Sequence, residues 1–225
     1  MDPIEYLRAV ILSTVARDLP KQFWSDIREG AQRLYADSYH QVRADPTLVE
    51  NQRIDVLLQL RHFRMENLLK TVAEKHGVPC SPNILERNGR HYVYATRGAI
   101  GMTQSYVPTI GAMPKPAKYL QRHAALNAIP HSPQLMLGDV PPEVFLGKDF
   151  FGLLAHNPVG KRFTERDQTL SMIQFCVPVE DHSEWAAELT ITEILATYEA
   201  VAPTAKPDRA PAWKKGRDEE KKGEE

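Results

Sequence analysis

Apolar residues recur at helical spacing through the first third of the chain. Asp2-Pro3-Ile4-Glu5 reads as a helix start: aspartate caps, proline takes the first helical position, and glutamate sits three residues after the cap. Ile4, Leu7, Ile11 and Val15 follow at helical intervals. Pro20 opens a second helix, with Phe23, Ile27, Ala31 and Leu34 on one face. Asp45-Pro46 begins a third, whose apolar set is Val49, Val56, Leu57, Leu60, Phe63, Leu68 and Val72. His76-Gly77 ends it. About 30 residues is long for one globular helix, so a bend is expected.

The period changes after Val78-Pro79. Residues 83–87, Asn88-Gly89 and 91–96 read as strand, tight turn and strand, because Asn-Gly tolerates the positive φ of a two-residue hairpin turn. Residues 100–107 form a third strand. Pro108 to Pro116 is a rigid connector, 117–127 a short helix, and 130–148 an irregular stretch punctuated by prolines. Residues 150–156 and 170–179 read as buried strands around a polar, turn-rich loop. Thr190-Ile-Thr-Glu193 has the pattern of a capping box and starts a helix reaching Glu199.

The predicted fold class is therefore α+β: an N-terminal three-helix layer packed on a mostly antiparallel sheet. The divisions are 1–77 for the helical layer, 78–201 for the mixed region, which joins the helices in one domain, and 202–225 for a disordered charged tail. No internal repeat is visible.

At 225 residues, 42% hydrophobic and 25% charged, the chain has the composition of a soluble globular protein. Asp2 and Glu5 lie where a signal peptide would be basic, and no run reaches about 18 apolar residues, so no membrane association is expected. Cys80 and Cys176 are too few and too far apart for a disulfide framework or a cysteine-rich zinc site. The cytoplasm is the default location.

Charge is segregated beneath a formal net charge of -1. No acidic residue occurs from Arg87 to Gly138, whereas Arg87, Arg90, Arg97, Lys115, Lys118 and Arg122 all fall there. The segment 139–205 holds 11 acidic and 4 basic residues. An acid-free basic surface suits a phosphate backbone, and Tyr92 and Tyr94 beside it could stack on unpaired bases. Lys115, Lys118 and Arg122 could clamp a phosphate, the last two as i,i+4 neighbours. The opposing reading has the basic and acidic segments neutralise each other across the sheet, with Tyr92 and Tyr94 covering a helix.

Arg33-Leu-Tyr-Ala-Asp-Ser-Tyr-His40 resembles the Arg-x4–6-His signature of the HEPN ribonuclease superfamily. That resemblance implies a helical bundle in which Arg33 and His40 line an RNA cleavage site, usually in a dimer. The residue after the arginine is usually polar in that family and is Leu34 here. A second catalytic candidate is a metal site built from His156, Asp181, His182 and Glu184. Ser105 lacks a GxSxG elbow and Cys176 lies in an apolar run, so neither is placed as a nucleophile. Gly98, Gly101 and Gly111 form no nucleotide-binding loop, and no motif names a cofactor.

Three functions follow as expectations. The first is a non-catalytic nucleic-acid- or polyanion-binding regulatory protein using residues 87–138. The second is a phosphodiester hydrolase. The third is an interaction module acting as a homodimer or with a protein partner.

Overall fold

The computed structural model describes residues 3–85, 91–127 and 149–201. Arg87, Arg90, the Asn88-Gly89 turn, the stretch 130–148 and the tail from Ala202 lie outside the described residues. Three helices come first: α1 (Pro3–Asp18), α2 (Lys21–Ala44) and α3 (Glu50–Lys75). Then follow β1 (Cys80–Ile84), β2 (His91–Arg97), β3 (Ile100–Tyr106) and α4 (Lys118–Ala124), which runs into a 3₁₀ turn at Ala125–Asn127. The chain continues through β4 (Phe150–Pro158), β5 (Leu170–Pro178), β6 (Trp185–Thr190) and α5 (Ile191–Val201). The expected α+β architecture is present.

Several boundaries differ from the pattern-based reading, each for a local reason. Pro20 caps α2 in an extended conformation rather than entering it. Asp45 does not start α3: its carboxylate accepts the Thr47 N–H at 2.9 Å and the Thr47 hydroxyl at 2.6 Å, closing a turn. The helix begins five residues later. Its buried stripe is Leu57, Arg61, Met65, Glu66, Leu69, Val72 and Ala73, while Val49 and Phe63 are more than half exposed. β1 sits three residues earlier than expected. β6 was not expected at all, because its apolar alternation is only six residues long and lies between an acidic turn and a capping box. That box is formed as read: Thr190 Oγ1 accepts the Glu193 N–H at 3.1 Å, and Glu193 Oε2 accepts the Thr190 N–H at 2.8 Å.

The six strands lie in sequence order, β1 to β6. All neighbours are antiparallel except β3 and β4, which run parallel with Ile100 opposite Phe150 and Tyr106 opposite His156. A parallel pair requires a crossover, and α4 makes it. Strand parity sends Val93, Ala95, Ile100, Met102, Leu154, Phe175, Val177 and Leu189 to one face, where they form a single core with α1, α2, α3 and α5. The opposite face meets α4: Leu120 and Ala124 pack on Phe151 and Leu153.

Two glycines answer specific demands. Gly98 takes φ +56° at the β2–β3 turn. Gly152 lies under the Phe175 ring, where a Cβ would approach to 2.2 Å.

The 3₁₀ turn after α4 closes on Asn127, which is 1% exposed. Its Oδ1 accepts the Phe151 N–H at 2.7 Å, and its Nδ2 donates to Phe151 O at 2.9 Å and Pro178 O at 2.7 Å. One side chain thus ties the turn after α4 to both β4 and β5. An Asn127→Ala substitution leaves a buried N–H without its partner and should cost about 2–4 kcal/mol. Urea denaturation should show the lower midpoint with an unchanged slope.

Candidate functional site

The β2–β3 ladder stops at Ala95 opposite Met102. Beyond it, Val93 and Gln104 should pair, but side chains occupy the gap. Val93 N–H donates to Glu66 Oε2 at 2.5 Å, and Val93 O accepts from Thr103 Oγ1 at 2.7 Å. The Glu66 carboxylate, brought in by α3, therefore stands where β3 backbone would be. Its other oxygen accepts from Gln104 Nε2 at 2.5 Å, and the same Nε2 lies 3.0 Å from His62 Nδ1.

The polar line continues across the sheet. Gln104 Oε1 faces His156 Nε2 at 2.9 Å, and His156 Nδ1 faces the Tyr35 hydroxyl at 2.6 Å. His156 is 1% exposed. Burial, with the nearby His62 and Arg61 charges, drives its pKa down to about 3, so the ring is neutral. An amide oxygen can only accept, so Nε2 carries the proton and Nδ1 accepts from Tyr35. Desolvation raises the Tyr35 pKa, and the phenol stays a donor. Burial likewise lifts Glu66 to about 7 against the pull of the Val93 N–H and the Gln104 amide.

Arg61 lies beside this line with its guanidinium 4.1 Å from the centre of the Tyr35 ring. It is 2% exposed and meets no carboxylate among the described residues. Instead it donates to Gln168 Oε1 at 2.7 Å, Gln168 O at 2.5 Å and Tyr35 O at 3.2 Å. Desolvation lowers its pKa to about 10, which still leaves it charged at neutral pH. Gln168 in turn donates to Gly160 O at 3.3 Å and Arg162 O at 2.8 Å, so Arg61 pins the β4–β5 loop to α3.

The basic candidates divide between the two faces of the sheet. Arg97 has the parity of Val93 and Ala95, and its guanidinium donates to His76 O at 2.9 Å at the end of α3. Lys115, Lys118 and Arg122 are exposed on the other side, along the lead-in to α4 and on α4 itself. Tyr92 and Tyr94 are covered by that helix. Tyr94 stacks on His123 at 4.3 Å and 11°, and Tyr92 packs on Tyr119 at 4.6 Å. Stacking on bases is thus not available to these tyrosines as they stand. His123 is held neutral by burial and by Arg122, so it adds no charge at neutral pH.

Arg33 and His40 are both exposed on α2. They lie seven positions apart, which is about 10 Å along the axis. The helix that carries both belongs to a layer packed on a sheet, not to the all-helical bundle implied by the HEPN resemblance. The metal candidates are not brought together. His156 faces the helical layer near the end of β4, and both its nitrogens are engaged. Asp181, His182 and Glu184 lie in the β5–β6 turn, beyond the opposite end of β4. No group of three or more His, Cys, Asp or Glu among the described residues is placed to hold a metal ion. Cys176 is buried in the core, where desolvation raises its pKa.

A cleft of about 350 Å³ opens where the parallel strands β3 and β4 end. Pro108, Thr109 and Ile110 of the connector form one wall, Val159, Gly160 and Lys161 the other, and Tyr106, Asn157 and Ser171 the base. Asn157 is 5% exposed, and its buried Oδ1 has no hydrogen-bond partner among the described residues. Gln174, diagonal to it across β4–β5, also has a buried Oε1 without a partner. Buried amides left unpaired cost about 1–3 kcal/mol each. Sequence reasoning passed over Arg61, Glu66, Gln104 and Asn157; only the placement of Arg61 and Glu66 on the apolar stripe of α3 could have signalled them.

No protein-family model, curated protein or solved structure matches the chain. No described helix is long and apolar enough to cross a membrane.

The two buried titrating groups pull stability in opposite directions with pH. Glu66 ionises at about 4.5 unfolded and about 7 folded, so stability falls as pH rises through that window. His156 protonates near 6.5 unfolded and about 3 folded, so stability falls as pH drops through that one. Glu66→Gln removes the first slope only. Between about pH 4.5 and pH 7 the wild type should lose on the order of 3 kcal/mol relative to the variant. Urea midpoints of both proteins at the two pH values measure this; parallel pH profiles would contradict it.

Proposed function

We propose that the chain binds polyanions, nucleic acid foremost, through the outer side of α4 and its lead-in. The observation that carries this reading is that Lys115, Lys118 and Arg122 are exposed together on a crossover within an acid-free stretch of sequence. Lys115 and Lys118 form no ion pair among the described residues. Arg97 belongs to the opposite face and is left out of the surface. With Tyr92 and Tyr94 under the helix, the contacts are with phosphates rather than bases. Binding is therefore indifferent to sequence and sensitive to salt.

Three cations set the scale. The logarithm of the binding constant should fall with the logarithm of salt concentration with a slope of about −2 on single strands and about −3 on duplex. Fluorescence anisotropy with short labelled DNA and RNA across a salt series checks this. The Lys115→Glu/Lys118→Glu/Arg122→Glu protein should lose binding at low salt while keeping its melting temperature within a few degrees, since all three residues are exposed. Undiminished binding by the folded triple variant would refute the assignment.

A further inference from the structure

We propose that the buried line from α3 to α2 is a proton-operated switch: when Glu66 takes up a proton, the Gln104 amide turns over and His156 exchanges its Nε2–H for an Nδ1–H. The trigger lies in the geometry around the carboxyl group. Glu66 Oε2 accepts the Val93 N–H at 2.5 Å, and a backbone N–H only donates, so Oε2 stays an acceptor. The added proton must sit on Oε1, which lies 2.5 Å from Gln104 Nε2. Two donors then face each other across a contact of hydrogen-bond length, at a residue that is 7% exposed. A buried donor set against a donor loses its bond and gains no other.

Turning the amide over removes the conflict with almost no change of shape, since its two ends are nearly the same size. Gln104 Oε1 then accepts from the protonated Glu66 Oε1. It also accepts from His62, whose Nδ1 lies 3.0 Å from the same position. On the far side the amide N–H meets His156 Nε2, 2.9 Å away, which must give up its hydrogen and accept. The ring is neutral, so its one hydrogen moves to Nδ1 and points at the Tyr35 oxygen, 2.6 Å away. A phenolic hydroxyl both donates and accepts, and its hydrogen rotates to suit, so the reversal stops there. One proton enters and stays on Glu66. The two imidazoles keep their charge and exchange one N–H for the other. Both nitrogens of His156 are engaged, so its exchange passes through a brief local opening to water. Tyr119 stands close to Glu66, and Arg61 and Tyr106 stand close to His156. Burial keeps these tyrosines and Tyr35 protonated, and Arg61 stays charged, so none of them titrates near neutral pH. His62 is the remaining neighbour able to take a proton, and the experiment separates it from Glu66.

Nuclear magnetic resonance of the full chain, with nitrogen-labelled histidine and carbon-labelled glutamate, tests this from about two pH units below neutral to two above. His156 should carry its hydrogen on Nε2 at the upper end and on Nδ1 at the lower. The midpoint should coincide with that of the Glu66 carboxyl carbon, at about 7. Glu66→Gln presents an amide N–H to Gln104 at every pH and should hold the ring in the Nδ1–H form throughout. Gln104→Met should leave Glu66 titrating and His156 in one form. His62→Gln should keep the exchange. An Nε2–H ring or a doubly protonated ring at the lower pH overturns the switch, and so does a Glu66 that does not titrate in this range. An Nε2–H ring in Glu66→Gln, or a ring that still follows pH in Gln104→Met, overturns it as well. Loss of the exchange in His62→Gln with Glu66 still titrating moves the trigger to His62 and does the same. Where a variant fails to fold, the wild-type spectra alone decide the outcome.

Discussion

The carboxylate of Glu66 takes the place of backbone inside a sheet, and much of the molecule is arranged around that substitution. An antiparallel ladder normally continues until a strand ends, because an unpaired buried N–H is costly. Here the ladder between β2 and β3 opens early, and the Val93 N–H is satisfied by a side chain from the helical layer. A charged group in that position would be strongly disfavoured without hydrogen bonds, so the Gln104 amide must also turn towards it. That choice leaves the amide oxygen for His156 and fixes the tautomer of the imidazole. The Tyr35 hydroxyl then has a defined role as donor. One wedge thus couples α3 to β2 and β3, and through His156 couples β4 to α2.

Arg61 extends the same logic outward. A buried guanidinium without a carboxylate is held only if most of its N–H groups and its face find partners. The Tyr35 ring takes the face, Gln168 takes both terminal nitrogens through its side chain and its backbone, and Tyr35 O takes a further N–H; only Nε is left without a partner among the described residues. Gln168 then grips Gly160 and Arg162, so the wall of the cleft inherits its position from the helical layer. The β4–β5 loop is placed by a polar contact that its own sequence does not announce.

The contrast between Asp45 and Thr190 shows where the sequence was legible. Thr190 and Glu193 satisfy each other within one turn, so the pattern alone sufficed. Asp45 carries an equally good cap signal, but Thr47 competes for its carboxylate and wins. Periodicity located α1, α2 and the strands β2 to β5, since each buries a simple apolar stripe. It misjudged the face of α3 because two positions of the buried stripe are Arg61 and Glu66, and a reading that seeks apolar residues steps past both. Charge counting found the acid-free segment but not its geometry. Arg97 and Lys115 are neighbours in that count, yet strand parity and the crossover put a sheet between them. The parity of Tyr92 and Tyr94 was readable; what they faced was not, because α4 returns to cover them only through the tertiary fold.

The parallel pairing of β3 with β4 accounts for both the α4 surface and the cleft. Had β4 paired antiparallel with β3, a short hairpin would have sufficed and the face beneath α4 would have been open. The parallel register instead obliges the chain to cross the sheet, and among the described residues of the crossover the apolar cover is the short helix α4. Burying Leu120, Ala124 and Tyr119 against the sheet leaves Lys118 and Arg122 on the outside, because a helix of seven residues has room for one apolar stripe. The connector leading to that helix must leave the end of β3 beside the loop that leaves the end of β4, and the space between them is the cleft. The exposed cations and the cleft are therefore two outcomes of a single topological step.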